Sequence, residues 1–175
     1  MEDGIDITVY PRAVPGVPDA CMLRPPLPRE PAFVLDNHLA RLAAYLRMLG
    51  FDTRHEREAE DTVIARISAT EHRLLLTRDR GLLMRREVIY GYYVRQQLPR
   101  AQLTEIVERF GLADHTRPFT RCMKCNGTLV PVAREAVIAR LPPRTRALHH
   151  EFRQCACCGT VYWKGSHFER MQALI

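Results

Sequence analysis

Three aspartates, two glutamates and four cysteines are the residues through which this chain could do chemistry. Asp36 closes the apolar run Phe33-Val34-Leu35, and Asp79 follows the run Leu74-Leu75-Leu76-Thr77. Asp61 heads a helical pattern, with Glu58 and Glu60 just before it. If the two apolar runs are neighbouring parallel strands, these acids meet at one edge of a sheet, where the groups beyond the carboxyl ends of strands form the site. Converging carboxylates repel one another unless a cation sits among them. Hard cations such as Mg2+ or Mn2+ take oxygen ligands and bridge to phosphate, an arrangement suited to activating water against a phosphodiester. Arg78, beside Asp79, could hold a phosphate or pair with a neighbouring carboxylate. Each acid also has a plainer use, because Asp is a favoured cap for the helix that follows it.

Five of the six cysteines lie in the last third, and four of them form two C-x2-C pairs, Cys122 with Cys125 and Cys155 with Cys158. Gly127 and Gly159 follow the pairs, and tight turns there would aim backbone amides at sulfur. Two such turns supply the four thiolates of a tetrahedral Zn2+ site, whose closed coordination makes it structural. Two disulfides are the alternative, disfavoured in a reducing compartment. Cys157 is then a spare thiol and Cys21 an isolated one. His149, His150 and His167 could each replace a ligand, but four thiolates already complete the set.

Around these residues the pattern alternates. Leu39, Leu42, Ala43, Leu46 and Leu49 recur on one helix face, and Gly50 stands where a left-handed cap would end it. Phe51 to His55 reads as a short strand, and the helix from Asp61 has Val63, Ile64 and Ile67 on its apolar side. Leu74 to Thr77 is a strand, a short helix runs from Arg80 through Met84, and Val88 to Val94 is a fourth strand. Gln102 to Phe110 is a helix that Gly111 stops. Strand and helix in alternation predict a parallel three-layer α/β domain, placed at residues 32–117. Residues 118–175 read as a zinc ribbon whose insert carries Arg134, Arg140, Arg144, Arg146 and Arg153, which either hold a nucleic-acid backbone or form a solvated basic face. Ser166-His167-Phe168-Glu169 has the form of a capping box and predicts a terminal helix to about Leu174. Residues 1–31 hold seven of the twelve prolines and read as an extended arm, with one strand-like piece from Ile5 to Tyr10.

The chain has 175 residues, 46% of them hydrophobic and 26% charged, enough for one good core and a small appendage. No run is long enough to span a membrane, and the acidic first residues are unlike a signal peptide, so the expectation is a cytoplasmic protein. A net charge of +6, nearly all from arginine, suits a polyanionic partner. Other α/β chemistries fit worse. There is no G-x-G-x-x-G after the first strand and no G-x-x-x-x-G-K-[ST]. His38 also stands where a haloacid-dehalogenase-type phosphatase would carry a second acid.

Long motifs then add a resemblance. The block from Phe33 to Thr53, the acidic stretch Glu58 to Asp61, Leu74 to Arg80, Arg121 to Gly127 and Cys155 to His167 are similar to the Mut7-C RNase family, a PIN-like nuclease domain followed by a zinc ribbon. The resemblance spans about Pro31 to Leu174. It implies a metal-dependent ribonuclease, with Asp36, Asp61 and Asp79 binding Mg2+ or Mn2+ and Glu60 or Glu58 as a fourth acid. Asn37-His38 and Glu60 depart from the family pattern. The arm resembles the last strand of the ubiquitin-like domain that larger members carry. The reading that follows is a single-strand-directed endoribonuclease whose partner is RNA, with the ribosome or tRNA as candidate targets. The alternative is a non-catalytic RNA- or ribosome-binding zinc-ribbon protein. Oligomeric state is not legible.

Overall fold

A computed structural model describes residues 30–165, and the expected N-terminal arm and C-terminal helix lie outside the described residues. Four short strands form the first sheet: β1 (Phe33–Leu35), β2 (Thr53–His55), β3 (Leu74–Thr77) and β4 (Gly91–Tyr93). They pair in the order β2-β1-β3-β4, all parallel. Phe33, Val34 and Leu35 face Leu74, Leu75 and Leu76 in register, and all six are buried. Continuous apolar runs are what a sheet covered on both faces requires.

The side-chain alternation of the strands separates two cores. Phe33, Leu35, Leu74 and Leu76 point to one face, against Leu42 and Leu46 of α1 (Ala40–Met48), Leu49 just after it, and Leu103 and Ile106 of α4 (Pro99–Phe110). Val34 and Leu75 point to the other, against Ile64, Ala65 and Ile67 of α2 (Asp61–Thr70) and Leu82 of α3 (Arg80–Leu83). The handedness of crossovers explains this division. From β1 the chain steps outward to β2, then back across to β3 and on to β4. Right-handed connections in opposite directions must lie on opposite faces. The reversal falls between β1 and β3, which is where an open α/β sheet opens a crevice.

The second sheet is antiparallel, β5 (Leu129–Val132), β6 (Phe152–Cys155) and β7 (Val161–Trp163) in that order. Between β5 and β6 two short helices, α5 (Arg134–Val137) and α6 (Pro143–Leu148), cover a small core of Val137, Leu141 and Phe152. No helix among the described residues is long and apolar enough to cross a membrane.

The caps fall where the glycines stand. Gly50 has φ of +96° and Gly111 +62°. At Gly50 the need for glycine is double, since a Cβ would sit 2.0 Å from the Arg117 carbonyl oxygen of the connector packed against it. Boundaries shift elsewhere. The fourth strand shortens to Gly91–Tyr93, the second to Thr53–His55, and α4 starts earlier at Pro99, whose fixed φ suits the first helical turn.

Candidate functional site

At the carboxyl edge of the parallel sheet, Asp36 and Asp79 follow the adjacent strands β1 and β3, on either side of the reversal, and Asp61 follows β2 at the head of α2. Asp36 directly follows β1 and is only 5% exposed. Its Oδ1 accepts from the His38 amide at 2.9 Å, and its Oδ2 accepts from the Arg78 amide at 3.0 Å and from the Thr77 hydroxyl. The same Thr77 oxygen accepts the Asp79 amide at 2.8 Å. One hydroxyl at the end of β3 thus ties the carboxylate after β1 to the backbone of the acid after β3. Asp79 Oδ1 caps α3 through the amides of Gly81 at 2.7 Å and Leu82 at 3.4 Å, while the side chain stays exposed. For Asp36 and Asp79 the capping role therefore coexists with the placement expected of a site residue.

The acidic stretch is brought to this edge by Asn37. Its Oδ1 accepts the Glu58 amide at 2.9 Å, with Glu58 held at φ +58°. His55 Nε2, at the end of β2, lies 3.5 Å from the Asn37 carbonyl. Glu60 occupies the cap position of α2 without a side-chain cap bond, and Asp61 stands exposed in its first turn. Arg78 directs its guanidinium to the Gln96 carbonyl at 3.2 Å, so only its amide reaches Asp36. Neighbouring Arg80 lies over the Tyr93 ring at 5.5 Å. The donors offered by these acids are all oxygen, which fits a hard cation. Asp36 is held by three donors, whereas Asp61 and Glu60 are exposed, with Glu60 Oε2 accepting from the Thr62 hydroxyl at 3.4 Å. A surface hollow lined by Gln96, Ala101, Thr104, Glu105, Glu108 and Arg109 runs along α4, and its lining includes none of the three aspartates.

The cysteines form the second cluster. The sulfurs of Cys122, Cys125, Cys155 and Cys158 all lie within 4.8 Å of one another, with Cys122 to Cys158 at 3.6 Å and Cys125 to Cys155 at 3.4 Å. A disulfide would need about 2.05 Å. A tetrahedron with metal–sulfur bonds of about 2.3 Å has edges of about 3.8 Å, so the cluster could hold a metal such as zinc. Among the described residues this is the group of three or more Cys, His, Asp or Glu side chains drawn that close; Asp36, Asp61 and Asp79 are not.

Each pair is a turn closed by a left-handed residue four positions after its first cysteine, Asn126 at φ +68° and Gly159 at φ +71°. In the first turn the left-handed residue is thus Asn126, while the Gly127 backbone is hydrogen-bonded to the Cys125 sulfur as expected. Gly127 is also needed for space, since a Cβ there would meet the Cys157 and Cys155 sulfurs at 2.8 and 2.9 Å. Around the cluster, the Tyr162 hydroxyl lies 3.1 Å from Cys122 Sγ. Thr160, through its hydroxyl and then its backbone, holds the Cys158 thiol down to about 6. Cys157 is exposed and free. The basic insert is partly consumed by its own fold. Arg134 donates to the Arg146 carbonyl at 2.7 Å, and Arg146 donates to those of Leu141 and Ala139. Arg153 donates to the Phe119 carbonyl at 3.0 Å, which leaves Arg140 and Arg144 as the exposed pair.

Sequence reasoning singled out neither Thr77 nor the residues joining the two sheets. Asp52 is the hub of that junction. It accepts from Arg73 at 2.7 Å, Asn126 at 2.7 Å and Arg121 at 3.3 Å. Burial works against its charge, but the hydrogen bonds from Arg73 and Asn126 prevail and hold the carboxyl below its ordinary range. A polar Thr ending an apolar strand, and an Asn where the second turn has Gly, were the available signals.

No curated protein and no solved structure matches the chain. A family model described as Mut7-C RNAse domain matches residues 31–175, taking in the acidic edge and the cysteine cluster alike. The chain therefore belongs to the Mut7-C RNAse domain family.

Proposed function

We propose that this protein is a metal-dependent endoribonuclease with a PIN-like catalytic sheet and a structural zinc site, acting on single-stranded RNA. The observation that carries the reading is the Thr77 hydroxyl, which joins the buried Asp36 carboxylate to the backbone of Asp79 at the strand reversal. Asp36 is oriented by three donors before any substrate arrives, and Asp79 Oδ2 has no donor among the described residues and stays available. Asp36 and Asp79 would hold Mg2+ or Mn2+, with Asp61 and Glu60 closing in from the head of α2. A divalent ion held there supplies Lewis-acid activation of water and neutralises charge on the phosphodiester. Arg78 and Arg80 stand at the same edge, where a phosphate backbone would be gripped; Arg140 and Arg144 offer an exposed basic surface on the insert. Zinc fits Cys122, Cys125, Cys155 and Cys158 by donor type and spacing, and its closed sphere would leave it no catalytic part.

The test is cleavage of labelled single-stranded RNA in Mn2+ by the wild type, Asp36→Asn and Asp79→Asn. Variants that bind RNA but do not cut it support the reading; equal cleavage by all three overturns it. One observation favours the second reading, a non-catalytic RNA- or ribosome-binding protein: the cysteines, and not the acids, are gathered to metal-binding distance. A wild type that binds RNA and leaves it intact in Mn2+ and Mg2+ would establish that reading.

A further inference from the structure

We propose that metal occupancy of the cysteine cluster is transmitted to the edge strand β2 through Arg47 and Asn126, so that the ribbon clamps the strand leading into the acidic loop. This rests on the reading of the cysteine cluster as a metal site. An edge strand has backbone groups with no strand to pair with, and these must find partners elsewhere if they are buried. Thr53 on β2 is 0% exposed, and both of its groups are satisfied from outside the sheet. Its amide donates to Asn126 Oδ1 at 3.0 Å, and its carbonyl accepts Arg47 Nε at 2.8 Å.

Both partners are fastened to the first cysteine turn. Asn126 directly follows Cys125, and its left-handed backbone closes that turn through its amide on the Cys122 carbonyl at 2.9 Å. The residue at the matching place in the second turn is Gly159, so asparagine at 126 adds a side chain that the turn itself does not need. Arg47 Nη1 donates to the carbonyls of Met123 at 3.1 Å and Lys124 at 3.2 Å, the two residues between Cys122 and Cys125. Moving those ligands moves the carbonyls.

The link runs through the shape of the turn. Arg47 is 7% exposed and meets only carbonyls in its hydrogen bonds, so the backbone of β2 and the loop between Cys122 and Cys125 together hold a buried cation. A metal on the four sulfurs would fix that loop, and with it the two carbonyls that Arg47 meets. Beyond Thr53, β2 ends at His55 beside the Asn37 carbonyl, and Asn37 holds the Glu58 amide, so the clamp continues into the loop before Asp61.

The test is amide hydrogen exchange on the full chain, zinc-loaded and zinc-stripped, with zinc counted by elemental analysis. Stripping should speed exchange of the Thr53 amide at least tenfold, the order expected from losing its hydrogen bond to Asn126 alone, and leave Leu75 and Leu76 in β3 unchanged. Asn126→Gly keeps the left-handed turn and removes the side chain; it should retain one zinc per chain and still speed Thr53 exchange. Arg47→Lys, which keeps a charge but loses the fork, should do so to a smaller degree. A chain that binds one zinc but exchanges Thr53 at the same rate with and without it overturns the coupling alone. So does a uniform rise that includes β3. A chain that takes up no zinc overturns the metal reading and the coupling with it.

Discussion

The two clusters of potential metal ligands are assembled in opposite ways. Each cysteine pair is preset by a turn of a few residues, and the β5 and β6 pairing has only to bring two finished turns together. Asp36 and Asp79 have no local relation at all. They meet because β1 and β3 lie side by side in register, and a side-chain hydroxyl spans the gap between them. The cysteines therefore converge to ligand distance while the acids remain held by protein donors. A ligand set built from turns is close to complete when the chain folds. Groups at strand ends take their places only once the sheet has formed.

That contrast can be broken most forcefully at the cysteines. Chelation, or Cys122→Ser, removes a contribution on the order of 10 kcal/mol if the cluster holds structural zinc, and should unfold β5 to β7 while β1 and β3 stay protected from exchange. Loss of protection in both sheets together would show that they are one cooperative unit. At the acids the larger effect should appear in rate. Asp36→Asn should lower RNA cleavage in Mn2+ about a thousandfold, about 4 kcal/mol in barrier, and lower stability by about 1–3 kcal/mol, because an amide cannot accept from all three donors; Asp61→Asn, at an exposed position, should lower the rate less and leave the melting temperature unchanged.

The junction between the regions gives the next effect. Gly50→Ala places a methyl group against the Arg117 carbonyl on a left-handed backbone and should cost about 3 kcal/mol in denaturant unfolding. Thr77→Val keeps the shape and removes the hydroxyl between Asp36 and Asp79, which should cost about 1–2 kcal/mol and weaken Mn2+ binding measured by titration. An unchanged Mn2+ affinity would detach Thr77 from the site.

The smallest effect is a pH dependence at Asp52. Its folded carboxyl titrates below its ordinary value near 3.9, so its contribution is present above that value and is lost as pH falls through the lowered one. The gap in melting temperature between wild type and Asp52→Asn should accordingly narrow below about pH 4. A gap that stays constant to pH 2 would remove Asp52 as the hub.

Much of this was legible along the chain. The apolar runs at Phe33 and Leu74 marked the buried strands, and the periodic leucines of α1 marked its inward face. Gly50 and Gly111 marked where helices stop. The cysteine spacing announced a ligand set because each half of it is local. The strand from Val88 was drawn too long because its apolar residues also serve the loop packed under α3, where Val88 joins the core around Leu82. The arginines of the insert could not be sorted by sequence, since donors to their own carbonyls and donors free for a polyanion are the same residue type.

What the sequence determined alone was the local inventory: which segments bury themselves, where they end, and which turns carry thiols. Tertiary structure decided which distant groups share a space. Asn126 reaching Thr53, Arg47 spanning β2 and the cysteine turn, and Thr77 standing between two aspartates depend on strand order and on how one sheet docks against the edge of the other. The physical reason is that periodicity and turn chemistry act over a few residues, whereas the partner of a buried polar group is set by whatever the folded chain places within about 3 Å of it.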